Sequence, residues 1–322
     1  MRLGRRAPSW PPYQLVEEDI AAQAERRMER LERLYHLGQD LAWDGRQVLA
    51  GLLAKHGPPR LPAGREGPAL KLLSILLWGE LAAWAISADL AERIDDVEAK
   101  MAATSQAHDE ARHFYVLRDY LRALGRPVPR LGGIGRRLLV GILETRSLAH
   151  KLVGMQLLVE SNALSIFRGL VEAEVEPVLC ELLPYYEKDE ARHVGLGVMY
   201  LPRLLRRMSS VERAGVAAFQ IRCVWLLLNA GLPLHEPFRT LGIEPRRLAE
   251  RTVKLQSDIL ADMFAGDGAG GRTRPIGVLD PTRGLGPHIL DFIHPGGDVP
   301  AWHRAALALW RRGAEFANRA LA

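Results

Sequence analysis

The chain has 322 residues with 48% hydrophobic content, enough to bury one large core. Its formal charge of +5 comes from arginines such as Arg5, Arg26, Arg136 and Arg246 that are scattered rather than gathered into a stripe, which argues against a nucleic-acid partner. The only cysteines, Cys180 and Cys223, exclude a disulfide framework and a Cys-x-x-Cys metal centre, and point to a reducing cytoplasm.

Met1 to Pro12 carries arginines and prolines but no hydrophobic signal core, and residues 1 to about 14 read as irregular. Helical periodicity starts at Val16 and runs toward Gln39, with a second segment from Leu41 to Lys55 that Gly57, Pro58 and Pro59 stop. After a turn-rich linker to Pro68, long helices are predicted over 69–95, 97–124, 148–173 and 177–207, with a short one over 136–145 before the third. Pro177 suits a first helical turn. Ser210 with Glu212 marks the next start, for a helix to about 229, and another follows over 245–263.

Residues 265–299 differ from the rest, being rich in glycine and proline, and read as a partly ordered cover or a flexible linker. Arg272, Arg274, His288 and His294 are its polar candidates. A terminal amphipathic helix with Trp302, Leu307 and Trp310 on its apolar side closes the chain. The longest apolar stretches, 72–88 and 224–232, are broken by Glu80 or are short, so no membrane span is expected.

The pentapeptide Asp-Glu-Ala-Arg-His occurs twice, at Asp109 to His113 and at Asp189 to His193. Each copy follows a glutamate thirty residues before its own, Glu80 before Glu110 and Glu160 before Glu190. A Glu-x-x-His pair projects both side chains from one helix face. Two such helices and two single glutamates offer four carboxylates and two imidazoles, the ligand set of a two-metal bundle. Four buried carboxylates would be very costly without cations.

These residues resemble the ferritin-like di-iron carboxylate superfamily, which includes bacterioferritin, rubrerythrin, the ribonucleotide reductase small subunit and the bacterial multicomponent monooxygenases. The resemblance covers roughly residues 70 to 205. It implies an all-α, ferritin-like four-helix bundle with additional N- and C-terminal helices. The corresponding divisions are an N-terminal extension over 1–68, the di-metal bundle over 69–208, and C-terminal helices over 209–322 packed on it. Glu110 and Glu190 are implied to bridge two iron ions, with Glu80 and His113 completing one site and Glu160 and His193 the other. Manganese or a mixed Mn/Fe pair also suits these ligands.

In oxygenase-type members a similar aspartate holds the histidine of the opposite motif and an arginine pairs with the aspartate, a part that Asp109, Asp189, Arg112 and Arg192 match. Trp84 and Tyr186, each four residues from a ligand, are candidate oxidisable neighbours. Gln106, and less directly Gln156, is placed to hydrogen-bond a metal-bound water or oxygen. Trp84 stands where the ribonucleotide reductase small subunit carries a radical tyrosine, Leu164 where many hydroxylases have threonine, and Ala163 where rubrerythrin has an extra glutamate. Tyr186 replaces the additional histidine of arylamine N-oxygenases.

The implied function is an O2-dependent monooxygenase or oxidase. It would hydroxylate, desaturate or N-oxygenate a small-molecule or carrier-bound substrate, with O2 as co-substrate and electrons from a ferredoxin or reductase. A homodimer is the default assembly. The alternatives are a bacterioferritin-like ferroxidase and a structural metal clamp.

Overall fold

A computed structural model describes residues 28–265 and 278–321; the expected irregular start, the helical onset at Val16, and Arg272 and Arg274 lie outside these residues. Among the described residues there is no strand. Two short helices come first, α1 (Glu29–Asp40) and α2 (Gly45–His56). The Asp44 side chain caps α2 by accepting from the backbone N–H groups of Arg46 and Gln47. Both helices pack across α4 (Val97–Ala123) and α7 (Pro177–Arg207), which lie at the centre of the molecule.

The central bundle consists of two hairpins. α3 (Glu66–Arg93) turns through residues 94–96 into α4, and this pair makes the most extensive helix contact in the fold. The second hairpin joins α6 to α7. α6 begins as Leu148–Leu152, widens into a π-helical segment at Val153–Val159, and returns to α-helix over Glu160–Glu172. α7 starts at Pro177, and the Glu176 carboxylate accepts the Leu179 N–H there. α4 and α7 then pack against one another, which brings the two pentapeptides face to face. Between the hairpins, α5 (Gly133–Glu144) packs on α3.

Beyond the bundle, α8 (Ser210–Gly231) packs on α5 and on the π segment. Its cap is Ser209, one residue before the expected Ser210, because Ser209 and Glu212 form a reciprocal capping box. A 3-10 turn, Leu232–Leu234, leads to α9 (His235–Thr240), which packs on α3. α10 (Pro245–Ala265) lies along α6 and α7. Inside the stretch expected to be irregular, Gly286–Ile293 forms a helix, α11. Its run Ile289, Leu290, Phe292, Ile293 supplies an apolar face that overrides the flanking glycines and prolines. The last helix, α12 (Ala301–Ala320), rests on α5 and α8.

Two large apolar clusters fill the bundle, and a third, smaller one of Leu232, Ile293, Leu307 and Ala314 lies among the C-terminal helices. One large cluster contains Ile86, Ala103, Leu157 and Leu201; the other large one contains Leu73, Leu117, Phe167 and Leu179. The repeated spacing of the six glutamates and histidines places them on the same four helices that supply both of the large clusters. Two helical stretches, Glu66–Arg93 and Ser210–Thr240, are long and apolar enough to cross a membrane, contrary to the expectation from sequence. One buried glutamate does not offset the surrounding leucines and alanines in the first, and the 3-10 turn extends the second past its apparent end. The first is a core helix, with 56% of the window buried; the second is only 22% buried.

Candidate metal centre

Glu80 on α3, Glu110 and His113 on α4, Glu160 on α6, and Glu190 and His193 on α7 are all buried. Their ligand atoms fall into two overlapping groups, Glu80–Glu110–His113–Glu190 and Glu110–Glu160–Glu190–His193, each gathered within 4.8 Å. Glu110 and Glu190 belong to both. His113 Nδ1 lies 3.3 Å from Glu80, 3.4 Å from Glu110 and 3.3 Å from Glu190. His193 Nδ1 lies 3.1 Å from Glu110 and 3.0 Å from Glu190.

The outer ring nitrogens are tied across the repeat. His113 Nε2 donates to Asp189 Oδ2 at 3.0 Å, and His193 Nε2 donates to Asp109 Oδ2 at 3.3 Å. Each imidazole therefore points Nδ1 at the carboxylates, the nitrogen that would bind a metal once it gives up its proton. Arg112 donates to Asp109 at 2.5 Å and Asp189 at 2.8 Å, while Arg192 donates to Asp109 at 2.8 Å and Asp189 at 2.7 Å. Two buried aspartates and two buried arginines thus form a closed, neutral ring beside the six residues.

Ionisation shows how crowded the six residues are. Burial drives the carboxyls of Glu80 and Glu160 well above the usual range, and neighbouring Glu190 and Glu110 push the same way. Burial would raise Glu110 too, but His193 and His113 outweigh it and hold Glu110 low. Burial opposes charge on His113 and His193, yet the surrounding carboxylates raise both. Without cations, protons balance the cluster. Glu110 Oε2, His113 Nδ1 and Glu160 Oε2 are buried with no hydrogen-bond partner. Oxygen and imidazole donors left unsatisfied around two common carboxylates fit two divalent ions.

Gln106 is buried on this site and donates its amide to Glu160 at 2.6 Å and to Glu110 at 3.2 Å; Gln156 donates in turn to Gln106. Tyr186 stacks on His113 with ring centroids 4.2 Å apart, and its hydroxyl donates to the His113 carbonyl at 2.7 Å. Trp84, expected to face inward, is 40% exposed. The inward line of α3 runs from Glu80 through Ala83 to Ser87, which leaves residue 84 on the outer flank.

One neighbour went unnoticed in the sequence. Trp43, in the turn before α2, donates its indole N–H to Asp189 Oδ2 at 2.8 Å, the oxygen that also accepts from His113. The Arg112 guanidinium sits 4.7 Å from the centre of the Trp43 ring. A single tryptophan in a loop far from either repeat has no sequence signal that links it to them.

A cavity of about 940 Å³ opens on the carboxylates of Glu80, Glu110, Glu160 and Glu190. Its walls are mostly aliphatic, with Leu76, Ala83, Leu158, Ile166 and Val224 among the lining. The volume lies in the range of small-molecule sites.

No family model and no curated protein matches the chain. Among solved structures, the chain has the fold of the R2-like ligand-binding oxidases. A variant with an aerobically reconstituted Mn/Fe cofactor aligns with a TM-score of 0.55 at 18% identity, covering 72% of this chain and 93% of that one. A second Mn/Fe variant aligns at 0.57 and 16%, with the same coverage. A variant reconstituted with Fe/Fe aligns at 0.54 and 17%, covering 72% and 92%. The fold is therefore all-α and ferritin-like, and the neighbours that share it carry Mn/Fe or Fe/Fe cofactors.

Proposed function

We propose that the chain is an oxygen-activating oxidoreductase. In this reading Glu80, Glu110, His113, Glu160, Glu190 and His193 hold two iron ions, or one manganese and one iron. The observation that carries it is the convergence of six buried ligand-type side chains on two groups sharing Glu110 and Glu190, at the end of an apolar cavity. Such a pair supplies the redox chemistry that reduces O2 at the expense of an organic substrate.

The chain's own residues supply order and access. Asp109 and Asp189 fix the histidine orientations, and the histidines, then the arginines, keep both aspartates ionised. Gln106 holds one oxygen of Glu160, leaving the other directed at the site. The aliphatic walls exclude water and accept the carbon skeleton of a substrate, which favours hydroxylation, desaturation or N-oxygenation of an organic molecule over iron storage. Hydrated ferrous ions would find few charges along those walls before the carboxylates.

Trp43 connects to the site through Asp189 and His113, a route by which an electron from a ferredoxin or reductase reaches the centre. The test is anaerobic ferrous loading, then rapid mixing with O2 while absorbance is followed. A transient visible band that decays without mineral, at about two irons per chain, is expected. Repeated oxidation of excess iron with ferric mineral would overturn the reading in favour of a ferroxidase.

A further inference from the structure

The cavity that reaches the carboxylates also reaches a second polar group, on α9 and just after α11. His235 and His294 both line it, stacked with ring centroids 4.7 Å apart. Arg311 on α12 stands behind them and donates Nη2–H to His235 Nδ1 at 2.9 Å. An arginine can only donate, so the bonded Nδ1 is the acceptor and the neutral His235 ring carries its proton on Nε2. Among the described residues, His235 Nε2 and both ring nitrogens of His294 have no hydrogen-bond partner.

Of the three arginines near this pair, two have carboxylate partners in direct contact and Arg311 has none among the described residues. Arg239 is paired with Glu236 at 2.9 Å, and Arg246 with Glu250 at 2.7 Å and Asp291 at 3.1 Å. Arg311 has no carboxylate within 4 Å among the described residues, and its Nε is buried without a partner. Burial pushes the His235 imidazole down to about 3, with His294 and Arg311 acting in the same direction; burial and Arg311 push His294 down to about 4. Both rings therefore stay neutral, and the charges that act on them are mainly those of Arg311 and Arg239, with Arg246 and the opposing Glu244 also felt at His294.

Several other polar residues of the wall are held by hydrogen bonds or ion pairs within the protein. Gln220 exchanges two hydrogen bonds with the backbone of Leu279, Asn162 donates to the Leu158 carbonyl, and Gln256 donates to Ser161. Arg283 is paired with Asp280. The histidine pair keeps open ring nitrogens on the cavity wall, with an arginine that has no carboxylate in direct contact behind it.

We propose that His235 and His294, backed by Arg311, form the head-group site for an amphiphilic substrate: the anionic group, a carboxylate or phosphate, binds the histidines, and its apolar chain runs along the cavity toward Glu80 and Glu160. Arg311 acts through His235 as a positioning residue. The proposal deepens the oxidase reading and rests on it for the identity of the distant end.

Calorimetry on the metal-loaded full-length protein tests it, with dodecanoate, dodecyl phosphate and dodecan-1-ol as probes and metal content measured on the same sample. At least one anion is expected to bind about tenfold more tightly than the alcohol, and the tighter anion identifies the head group. Arg311→Gln and His294→Leu should erase that preference while leaving the alcohol's affinity within about twofold. Among the described residues the His294 side chain makes no hydrogen bond, so that variant carries the test if Arg311→Gln fails to fold.

Orientation is read by NMR with dodecanoate labelled with 13C at either end. Paramagnetic broadening should be greater at the terminal methyl than at the carboxyl carbon. Greater broadening at the carboxyl carbon, or an anion preference that survives in His294→Leu, would overturn the proposal. Absence of a metal pair with the anion preference intact would instead sink the oxidase reading and leave the head-group site standing.

Discussion

Asp189 shows how much one side chain does at this centre. It accepts from His113, Arg112, Arg192 and Trp43, and burial fails to neutralise it because His113 and Arg192 hold it ionised. Replacing it by asparagine keeps the shape but removes the charge that orients His113. Metal affinity should fall about 10- to 100-fold with the fold retained, as read by competition with a chelator and by circular dichroism; unchanged affinity would remove Asp189 from the account. Proton release gives a second check. In the metal-free protein Glu80 and Glu160 are raised, as are His113 and His193, so near neutral pH these sites hold protons that cations must displace. Metal binding should therefore release protons and weaken as pH falls. Calorimetry in buffers of different ionisation enthalpy measures this, and no buffer dependence would contradict it. The six convergent residues were legible because the chain repeats them at one spacing. Trp43 was not, since a lone loop residue acquires its partner only through folding. Trp84 was misjudged because a four-residue step lands beside, rather than on, the inward line of α3.

The π segment Val153–Val159 is the feature of the elements that sequence periodicity did not reveal. It ends where Glu160 begins, and π turns concentrate at functional sites because they re-aim the side chains that follow. Close packing from both sides accompanies it. A Cβ on Gly154 would meet Ile142 Cγ1 at 2.8 Å, and one on Gly197 would meet Gln156 Cβ at 2.9 Å. Gly154→Ala should therefore destabilise the protein by about 1–3 kcal/mol through overpacking against α5, a loss measurable by urea unfolding. Wild-type stability would show that α5 yields freely. The long bundle helices were readable from apolar periodicity, with Gly125 and Pro177 as punctuation. α11 was hidden because glycine and proline on either side dominate the composition of its neighbourhood, while its own eight residues are strongly apolar.

At the scale of the molecule, two hairpins bring two copies of one motif together, and the outer helices α8 to α11 enclose a cavity leading to them. The repeat made the bundle foreseeable, whereas the cavity is a product of segments far apart in sequence, from Ile75 to His294. Its outer wall includes Ile221, 57% exposed, and Trp225, 55% exposed, so the apolar side of α8 belongs both to the cavity and to the surface. The ferritin-like scaffold thus sets the six side chains, and the added helices decide what reaches them. The most direct measurement is anomalous X-ray scattering from crystals of the iron- and manganese-loaded protein, collected at both metal edges. Two peaks, each within coordination distance of Glu110 and Glu190, and their loss in Glu110→Ala, are predicted. A single peak, or a pair elsewhere with Glu110 and Glu190 uninvolved, would contradict the account.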